Sequence, residues 1–303
     1  MAINLSQIKD LLLPGLRGIE GKYDMIPSQY DKVFTKHDSK MAFERTAEMR
    51  YLGLAQLKNE GGQTAFDNTS GERYVYSQEH TEVSLGYSLT RKAIDDNLYK
   101  TQFAPSNLGL MESFQQTKEI FGANLLNTAT VYNPAIGGDG TALCSQFHPI
   151  DGGVYSNRPA TDVQLNESTL LNAMIGIRTG FRDQAGLKVF ARGKRLIVPP
   201  QLEPTAIRLL KTELRPGTAD NDTNAILTTA GGLSEGHMVL DFLTSPSAWF
   251  LLTNIDGLSY MERVKFETDM TVDFVSDNLL VKAYERYSFG YYNPRAIWGS
   301  FPG

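Results

Sequence analysis

The feature that most constrains the fold is a long alternating segment close to the carboxyl end of the chain. In VKAYERYSFGYY, one set of side chains falls on a single face of an extended segment: Val281, Ala283, Tyr287, Phe289 and Tyr291. Side chains in a strand repeat every second residue, so this pattern predicts a strand with one apolar face. Tyr284, Arg286 and Ser288 fall on the opposite face, which is expected to be more polar.

Two further features bound this strand. Glu285 interrupts the apolar face, so we expect that face not to be fully dry. Pro294 ends the strand, and Ala296, Ile297 and Trp298 begin a second apolar run. An end so rich in Tyr and Trp is expected to be docked, either on the rest of the chain or on another copy of it.

The composition indicates a folded protein with a sizeable core and argues against a surface that binds DNA or an acidic membrane. The chain has 303 residues, 41% of them hydrophobic, which is enough for a sizeable core and favours two lobes. Lys and Arg number 29 against 34 Asp and Glu, for a formal net charge of −5. This balance argues against a surface built to grip DNA or an acidic membrane, for which a basic excess is expected.

Cysteine usage and hydropathy point to a reducing, aqueous compartment. Cys144 is the sole cysteine, so no disulfide can form within the chain. The amino terminus lacks a basic region followed by a long apolar stretch. No segment approaches the run of about 18 apolar residues that a membrane span needs, so no membrane partner is expected.

Two parts of the first 90 residues, an arm and a hairpin, are predicted to be incomplete on their own. Residues 1–40 mix a short amphipathic stretch with several glycines and prolines, which predicts an arm that lies on another surface. The spacing within 41–57 predicts a helix. Residues 59–90 alternate twice around a short polar break, which predicts a hairpin. An exposed two-stranded ribbon is marginal alone, so it should lean on a partner.

The rest of the chain reads as a mixture of helices and strands. One helix is predicted from about 106 to 128, with Leu110, Phe114, Phe121 and Leu125 on one stripe. A second begins near Asn166. Strands are predicted at 195–198 and, towards the end, in MVLDFL, AWFLLT and YMERVKF. This order predicts an α+β fold with its strands concentrated near the carboxyl end.

No motif for nucleotide binding or hydrolysis is present. The sequence lacks a phosphate-binding loop, a dinucleotide-binding glycine motif and a nucleophile elbow. Its four histidines stand far apart, so no zinc site is expected. Cys144 and His148 share a glycine-rich loop, which leaves half a metal site or a soluble hydrolase as an open alternative. We expect no cofactor, no metal and no catalytic residues.

An acidic loop matches part of a calcium site. Asp220, Asp222 and Asn224 fit the first three ligand positions, but Ala225 and Gly231 stand where a glycine and a glutamate are required. A solvated loop is the simpler reading, and a hydrolase using this loop is the open alternative.

Three stretches carry a family resemblance. TRKAIDDNLY (90–99) resembles the junction of extended loop and spine helix in tailed-bacteriophage major capsid proteins. LIVPPQLEPTAIRLLKTELRPGTADNDTN (196–224) and VKAYERYSFGYYNPRAIWGS (281–300) resemble the Mu-type major head subunit. The resemblance implies the Hong Kong 97 (Johnson) fold. Its arm would span 1–50 and its extended loop with flanks 51–95. The peripheral domain would span 96–189 and 261–303, and the axial domain 190–260.

The resemblance also implies a function and partners. It implies a structural head protein that self-assembles into hexamers and pentamers of an icosahedral or prolate shell. That shell would enclose double-stranded DNA without sequence-specific binding. A separate scaffolding protein, a portal protein and, optionally, a decoration protein would be its partners. The protein would assemble in the host cytoplasm and reside in the virion. An encapsulin-like nanocompartment shell, which would bind a cargo peptide, is the nearest alternative.

Two departures and a set of contacts follow from the mapping. The arm begins almost at once, which predicts a separate scaffold or prior cleavage. In some relatives a loop lysine bonds covalently to a neighbour; residues 59–90 contain no lysine, so a non-covalent shell is expected. The candidate subunit-contact residues of the extended loop are Phe66, Arg73, Tyr74, Tyr76, Glu79 and Glu82.

Overall fold

The chain is a mixture of helices and strands, as the sequence predicts. The computed structural model describes residues 18, 22–23, 27–67, 70–96, 99–212, 224, 226 and 232–302. Most of the predicted arm before residue 27, and Asp220 and Asp222 of the calcium-like loop, lie outside the described residues. The strands are β1 Thr35–Asp38, β2 Phe43–Arg50, β3 Gly71–Glu79, β4 Thr81–Leu89, β5 His148–Ile150, β6 Gly153–Tyr155, β7 Gly193–Val198, β8 His237–Val239, β9 Trp249–Thr253, β10 Leu258–Val272, β11 Leu279–Tyr291 and β12 Ile297–Ser300. The helices are α1 Arg91–Asp95, α2 Tyr99–Asn127, α3 Glu167–Gly180 and α4 Glu203–Lys211, with 3-10 turns at Tyr30–Lys32, Pro200–Leu202 and Pro294–Ala296.

The first sheet is built around the two longest strands. Its order is β1-β10-β11-β4, with β10 and β11 antiparallel and β1 parallel to β10. The register of β10 against β11 shifts twice between Glu262 and Glu267, which marks bulges in the middle of the pair. The 29-residue helix α2 packs on this sheet, and Leu110 and Phe114 of α2 are buried in one cluster with Phe266 and Ala283.

Strand β11 has the predicted apolar face, with one correction. Val281, Ala283, Tyr287, Phe289 and Tyr291 are all buried, as the alternation predicts. The expectation that Glu285 keeps this face wet is wrong, because Glu285 is only 1% exposed. A buried cation compensates its charge, as described below.

The second sheet is compact and carries the carboxyl end. Its order is β12-β9-β7-β8, and helices α3 and α4 contribute to the same hydrophobic cluster as β7 and β9. Trp249 and Trp298 lie with ring centroids 5.0 Å apart in that cluster. All four residues of β12 are buried. The prediction that the aromatic terminus is docked is therefore confirmed.

The amino-terminal ribbon differs from its prediction. The segment predicted as a helix over 41–57 contains strand β2, followed by an irregular stretch. The hairpin predicted over 59–90 is also wrong, because β3 pairs with β2 and β4 pairs with β11. A single residue, His80, separates β3 from β4. One residue is too short to close a hairpin, so the chain passes from one sheet to the other there.

Helices α2 and α3 lie where the sequence predicts helices, although α2 starts earlier than predicted. Helix α2 begins at Tyr99, earlier than the predicted start at 106, and Pro105 lies inside it. Of the predicted stripe, Leu110, Phe114 and Leu125 are buried, whereas Phe121 is 40% exposed. Helix α3 begins directly after Asn166, where a helix start is predicted, and the Asn166 side chain caps it by accepting a hydrogen bond from the Thr169 N–H.

Candidate subunit-contact surface

The β2–β3 ribbon has one covered face and one open face. Tyr76 and Gln78 point into the chain and are 3% and 7% exposed. On the other face, large apolar side chains stand in solvent: Phe43, Met49 and Val75 are 42%, 43% and 52% exposed. A strand alternates its side chains between two faces, so a ribbon held by one face presents the other as a surface.

Glu48 of β2 is the centre of the contacts on the covered face. One of its carboxylate oxygens lies 2.6 Å from Nη1 of Arg295, in the turn before β12. The other accepts hydrogen bonds from the Tyr76 hydroxyl at 2.9 Å and from the Gln184 side-chain amide at 2.8 Å. Burial beside this carboxylate raises the pKa of the Tyr76 hydroxyl above its usual range, so Tyr76 remains a donor.

Asp151 holds the far end of the ribbon. It lies in the turn between β5 and β6, and its carboxylate accepts hydrogen bonds from Arg50 of β2 and Arg73 of β3. The two guanidinium groups, that of Arg50 first, hold the pKa of Asp151 below its usual range. The contacts of Glu48 and Asp151 therefore fix the loop-bearing half of the ribbon to the rest of the chain.

The loop that joins β2 to β3 is the most exposed apolar part of this region. Residues 51–67 form no strand or helix. Five of their large apolar side chains are exposed by more than half: Tyr51 71%, Leu52 57%, Leu54 82%, Leu57 103% and Phe66 86%. Such a concentration of exposed apolar surface marks a site of protein–protein contact.

The six predicted contact residues fall into two groups. Phe66, Glu79 and Glu82 are exposed and available to a neighbour. Arg73, Tyr74 and Tyr76 face the chain itself: Arg73 binds Asp151 and lies 5.5 Å over the ring of Tyr74. Tyr76 is buried against Tyr291, so its side chain is not available to another copy in this conformation.

Several exposed residues were missing from that prediction. The run YLGLAQL at 51–57 contains no charge and three leucines, and it forms the end of the helix that local spacing predicts over 41–57. A helix would have buried one stripe of it, whereas the extended loop exposes Leu52, Leu54 and Leu57 together. The absence of charge over seven residues was the available signal.

A buried ion pair fixes α2 to the first sheet. Nζ of Lys118 lies 2.8 Å from the Glu285 carboxylate, and both side chains are nearly inaccessible, at 4% and 1%. Tyr23, from the amino-terminal segment, donates a hydrogen bond to Glu285 at 3.2 Å and stacks on Phe266. Burial raises the pKa of Glu285 despite the nearby ammonium.

Cys144 and His148 do not form a catalytic pair. Cys144 is 1% exposed, and burial raises the pKa of its thiol to about 12. Nδ1 of His148 lies 2.8 Å from Asp139, and its Nε2 lies 3.0 Å from Asn157. An inaccessible thiol that stays protonated is not a nucleophile, so the hydrolase based on this pair is contradicted.

Neither a metal-binding cluster nor a membrane-spanning helix is found in the described residues. They contain no group of three or more His, Cys, Asp or Glu arranged to hold a metal ion. Among the helices in the described part of the chain, none is both long and apolar enough to cross a membrane.

Comparison with protein families decides the identity of the chain. A family model described as phage capsid protein matches residues 81–299, which is more than half of the chain. The chain belongs to this family. The match includes β4, the spine-like helix α2, strands β5 to β11 and all but the end of β12, whereas β1, β2 and β3 precede it.

Solved structures show the same fold at low sequence identity. A virus-like particle from Pyrococcus furiosus matches with a TM-score of 0.54 and 10% identity, covering 95% of this chain and 98% of that one. The capsid of a native GTA particle matches with a TM-score of 0.57 and 11% identity, covering 92% of both chains. The procapsid of bacteriophage JBD30 matches with a TM-score of 0.53 and 13% identity, covering 99% of this chain and 77% of that one. No curated protein matches the sequence.

These matches confirm the predicted family and fold class. The phage capsid family agrees with the resemblance found in the sequence, and the structural matches agree with a Hong Kong 97-like α+β fold. A phage capsid protein has a structural role.

Proposed function

We propose that this phage capsid protein is the major head subunit, and that each copy is completed by its neighbours through the ribbon and the loop at 51–67. The observation that carries this proposal is the loop itself: an anchored ribbon ends in five exposed large apolar side chains. Burying them contributes roughly 1.5–3 kcal/mol per side chain. Head-to-tail contacts of this kind close into rings, and rings tile a shell.

The domain assignments inherited from the resemblance remain proposals, with one amendment. The long sheet and α2 would form most of the peripheral domain. Helix α3 packs in the same cluster as β7, β9 and Trp298, so a boundary at 190 would separate it from its own core. We therefore place the start of the axial domain near 150, and we add β12 to it.

The partners are inferred from the same role. Hexamers and pentamers of this chain would form the shell, with a separate scaffolding protein during assembly and a portal protein at one vertex. A decoration protein would be an optional outer partner. Packaged DNA would be held by confinement, because the chain carries a net charge of −5. The protein would assemble in the host cytoplasm and reside in the virion.

A nanocompartment shell is the second candidate. The Pyrococcus furiosus particle supports a shared fold, while the match to the phage capsid family favours the head. The two differ in content: a compartment takes up a cargo protein through a peptide, whereas a head takes up DNA through a portal.

Electron microscopy of the expressed chain, alone and with the scaffolding protein of its phage, tests the proposal. Shells or ring-shaped capsomers are expected. Leu54→Ser with Leu57→Ser should leave the subunit folded but abolish shells, because it removes exposed contacts only. Glu60→Ser, on the same loop, is the matched control and should assemble. A folded chain that stays monomeric with scaffold present, or shells unaffected by the leucine changes, would contradict the proposal.

A further inference from the structure

A basic groove lies beside the carboxyl-terminal half of helix α3. Its volume is about 480 Å³. Its walls come from α3 and from the segment that leads to β7, and they include Ile175, Arg178, Lys188, Phe190, Ala191 and Arg192. Three of these side chains are cations, and no lining residue is acidic. The groove is therefore strongly positive, although the chain as a whole carries a net charge of −5.

The three cations of the groove are exposed and without counter-ions. No ion pair among the described residues involves Arg178, Lys188 or Arg192. The acid nearest to them along the chain, Asp183, accepts a hydrogen bond from the Leu187 N–H at 2.7 Å. Arg178 also suits the carboxyl end of a helix, but the other two cations lie outside any helix. Like charges gathered without counter-ions indicate an anionic ligand.

Phe190 stands among these cations as a bare aromatic ring. Its side chain is 90% exposed, and that of Ile175 is 57% exposed. The Ala191 N–H donates to the Val189 carbonyl at 2.9 Å, and this tight turn places Phe190 at its apex. Ala191 itself is buried in the cluster of the second sheet. The backbone thus turns the Phe190 ring outward while the next residue points into the core.

Hydrogen bonds hold the backbone that carries these side chains. The Val189 N–H donates to the Phe181 carbonyl at 3.1 Å. The Asn254 side chain accepts from the Arg192 N–H at 2.7 Å and donates to the Phe190 carbonyl at 3.4 Å. The Asn254 N–H in turn donates to the Arg192 carbonyl at 3.0 Å. A surface that is ordered before its ligand arrives loses less conformational entropy on binding.

We propose that the basic groove binds single-stranded nucleic acid. Sites that hold single strands without sequence preference combine cations that follow the phosphates with an aromatic ring on which a base stacks. Arg178, Lys188 and Arg192 supply the phosphate contacts, and Phe190 supplies the stacking surface. Paired bases are not free to stack on this ring, so a packaged duplex is not the ligand. The inference goes beyond the head assignment and does not depend on it.

Fluorescence anisotropy with dissociated subunits tests the stacking contact. A labelled oligothymidylate of about 20 nucleotides should bind about fivefold or more tightly than a duplex or a polyglutamate peptide of the same length. Phe190→Ser should weaken binding of the oligothymidylate by about fivefold or more, because a stacked base is lost, and should leave duplex binding unchanged. Phe274→Ser, at another exposed phenylalanine outside the groove, is the matched control and should change neither.

The salt dependence of binding tests the phosphate contacts. Removal of all three cations, by Arg178→Gln with Lys188→Gln and Arg192→Gln, should lower the slope of log K against log salt concentration by about 2, at about 0.7 per contact. Lys40→Gln with Lys92→Gln and Lys265→Gln removes three exposed cations outside the groove and should leave the slope unchanged.

The failures can be told apart. Equal affinity for duplex and single strand, with no effect of Phe190→Ser, would show non-specific charge attraction and overturn the proposal. Tighter binding of the polyglutamate peptide would assign the groove to an acidic protein segment and also overturn it.

If a variant does not fold, photo-cross-linking of an iodouracil-bearing oligonucleotide to the unmodified chain decides. Cross-links within residues 175–192 support the proposal, whereas cross-links confined to other residues, or none, overturn it. None of these outcomes bears on shell formation, which electron microscopy tests separately.

Discussion

The carboxylate of Glu48 lies 2.6 Å from the guanidinium of Arg295, and this contact joins the ribbon to the turn before the last strand. The Arg295 side chain is 4% exposed and that of Glu48 is 15% exposed. Nε of Arg295 also donates to the Arg182 carbonyl at 2.6 Å. The ribbon thus leaves the body of the subunit at a fixed angle, and its apolar loop is presented before any neighbour arrives.

Removal of the Glu48 charge should destabilise the subunit. Glu48→Gln leaves the Arg295 cation buried without its counter-ion, which costs about 3 kcal/mol. Denaturant unfolding of dissociated subunits measures the change. Glu79→Gln, on the exposed face of the same ribbon, should change the free energy of unfolding by less than about 0.5 kcal/mol. Equal effects of the two substitutions would show that the ion pair does not anchor the ribbon.

The buried pair of Lys118 and Glu285 should behave as one unit. Lys118→Met leaves a carboxylate inside the core and is expected to cost about 3–5 kcal/mol. The double variant Lys118→Met with Glu285→Leu should be less destabilised than the sum of the single variants, because no buried charge remains. A double-mutant cycle from urea unfolding provides the measurement. Simple additivity would contradict the coupling.

The environment of His80 should make the subunit less stable in mild acid. Its ring nitrogens lie 2.9 Å from the hydroxyls of Ser39 and Ser288. Burial, together with the nearby Arg286, lowers its pKa below the usual value near 6.5. Above that pH the ring is neutral in both states. As the pH falls below it, the unfolded chain takes up a proton that the folded chain resists, so the free energy of unfolding decreases.

The quantity to measure for His80 is the slope of the free energy of unfolding against pH. Between pH 7.5, 6.5 and 5.5, the free energy of unfolding should fall more steeply in the natural chain than in His80→Gln. The difference in slope should be at most about 1.4 kcal/mol per pH unit. Identical slopes for the natural chain and His80→Gln would contradict the role assigned to His80.

Boiling in detergent should reduce the shell to single chains. Residues 59–90 contain no lysine, but the loop starts at 51 and so includes Lys58. Denaturing gels of purified shells should still show one monomer-sized band. Ladders that persist in the natural chain and vanish in Lys58→Arg would make the prediction wrong and identify the bonding residue.

Local patterns predicted the elements whose partners are close or whose ends are capped. The alternation in β11 and the start of α3 near Asn166 are both encoded within a few residues, and both are confirmed. The aromatic end was predicted to be docked because its apolar side chains have few other ways to leave water. Glu285 was misjudged because its partner, Lys118, comes from a distant helix.

Strand β2 could not be predicted from local spacing. Its residues FERTAEMR fit a helical stripe as well as an alternating one. The choice is made by β3, which begins 21 residues after β2 ends and supplies the hydrogen bonds. Tertiary pairing thus overrides local propensity. The contact surface could not be predicted for the same reason, because a helix over 41–57 would bury leucines that the loop exposes.

Hydrogen exchange over residues 51–67, measured in dissociated subunits and again in assembled shells, tests the central claim most directly. We predict that these amides exchange rapidly in the subunit and become protected in the shell, while those of the buried strand β9 are protected in both. A loop already protected in the lone subunit, or one that still exchanges rapidly in the finished shell, would contradict the claim that neighbouring copies cover it.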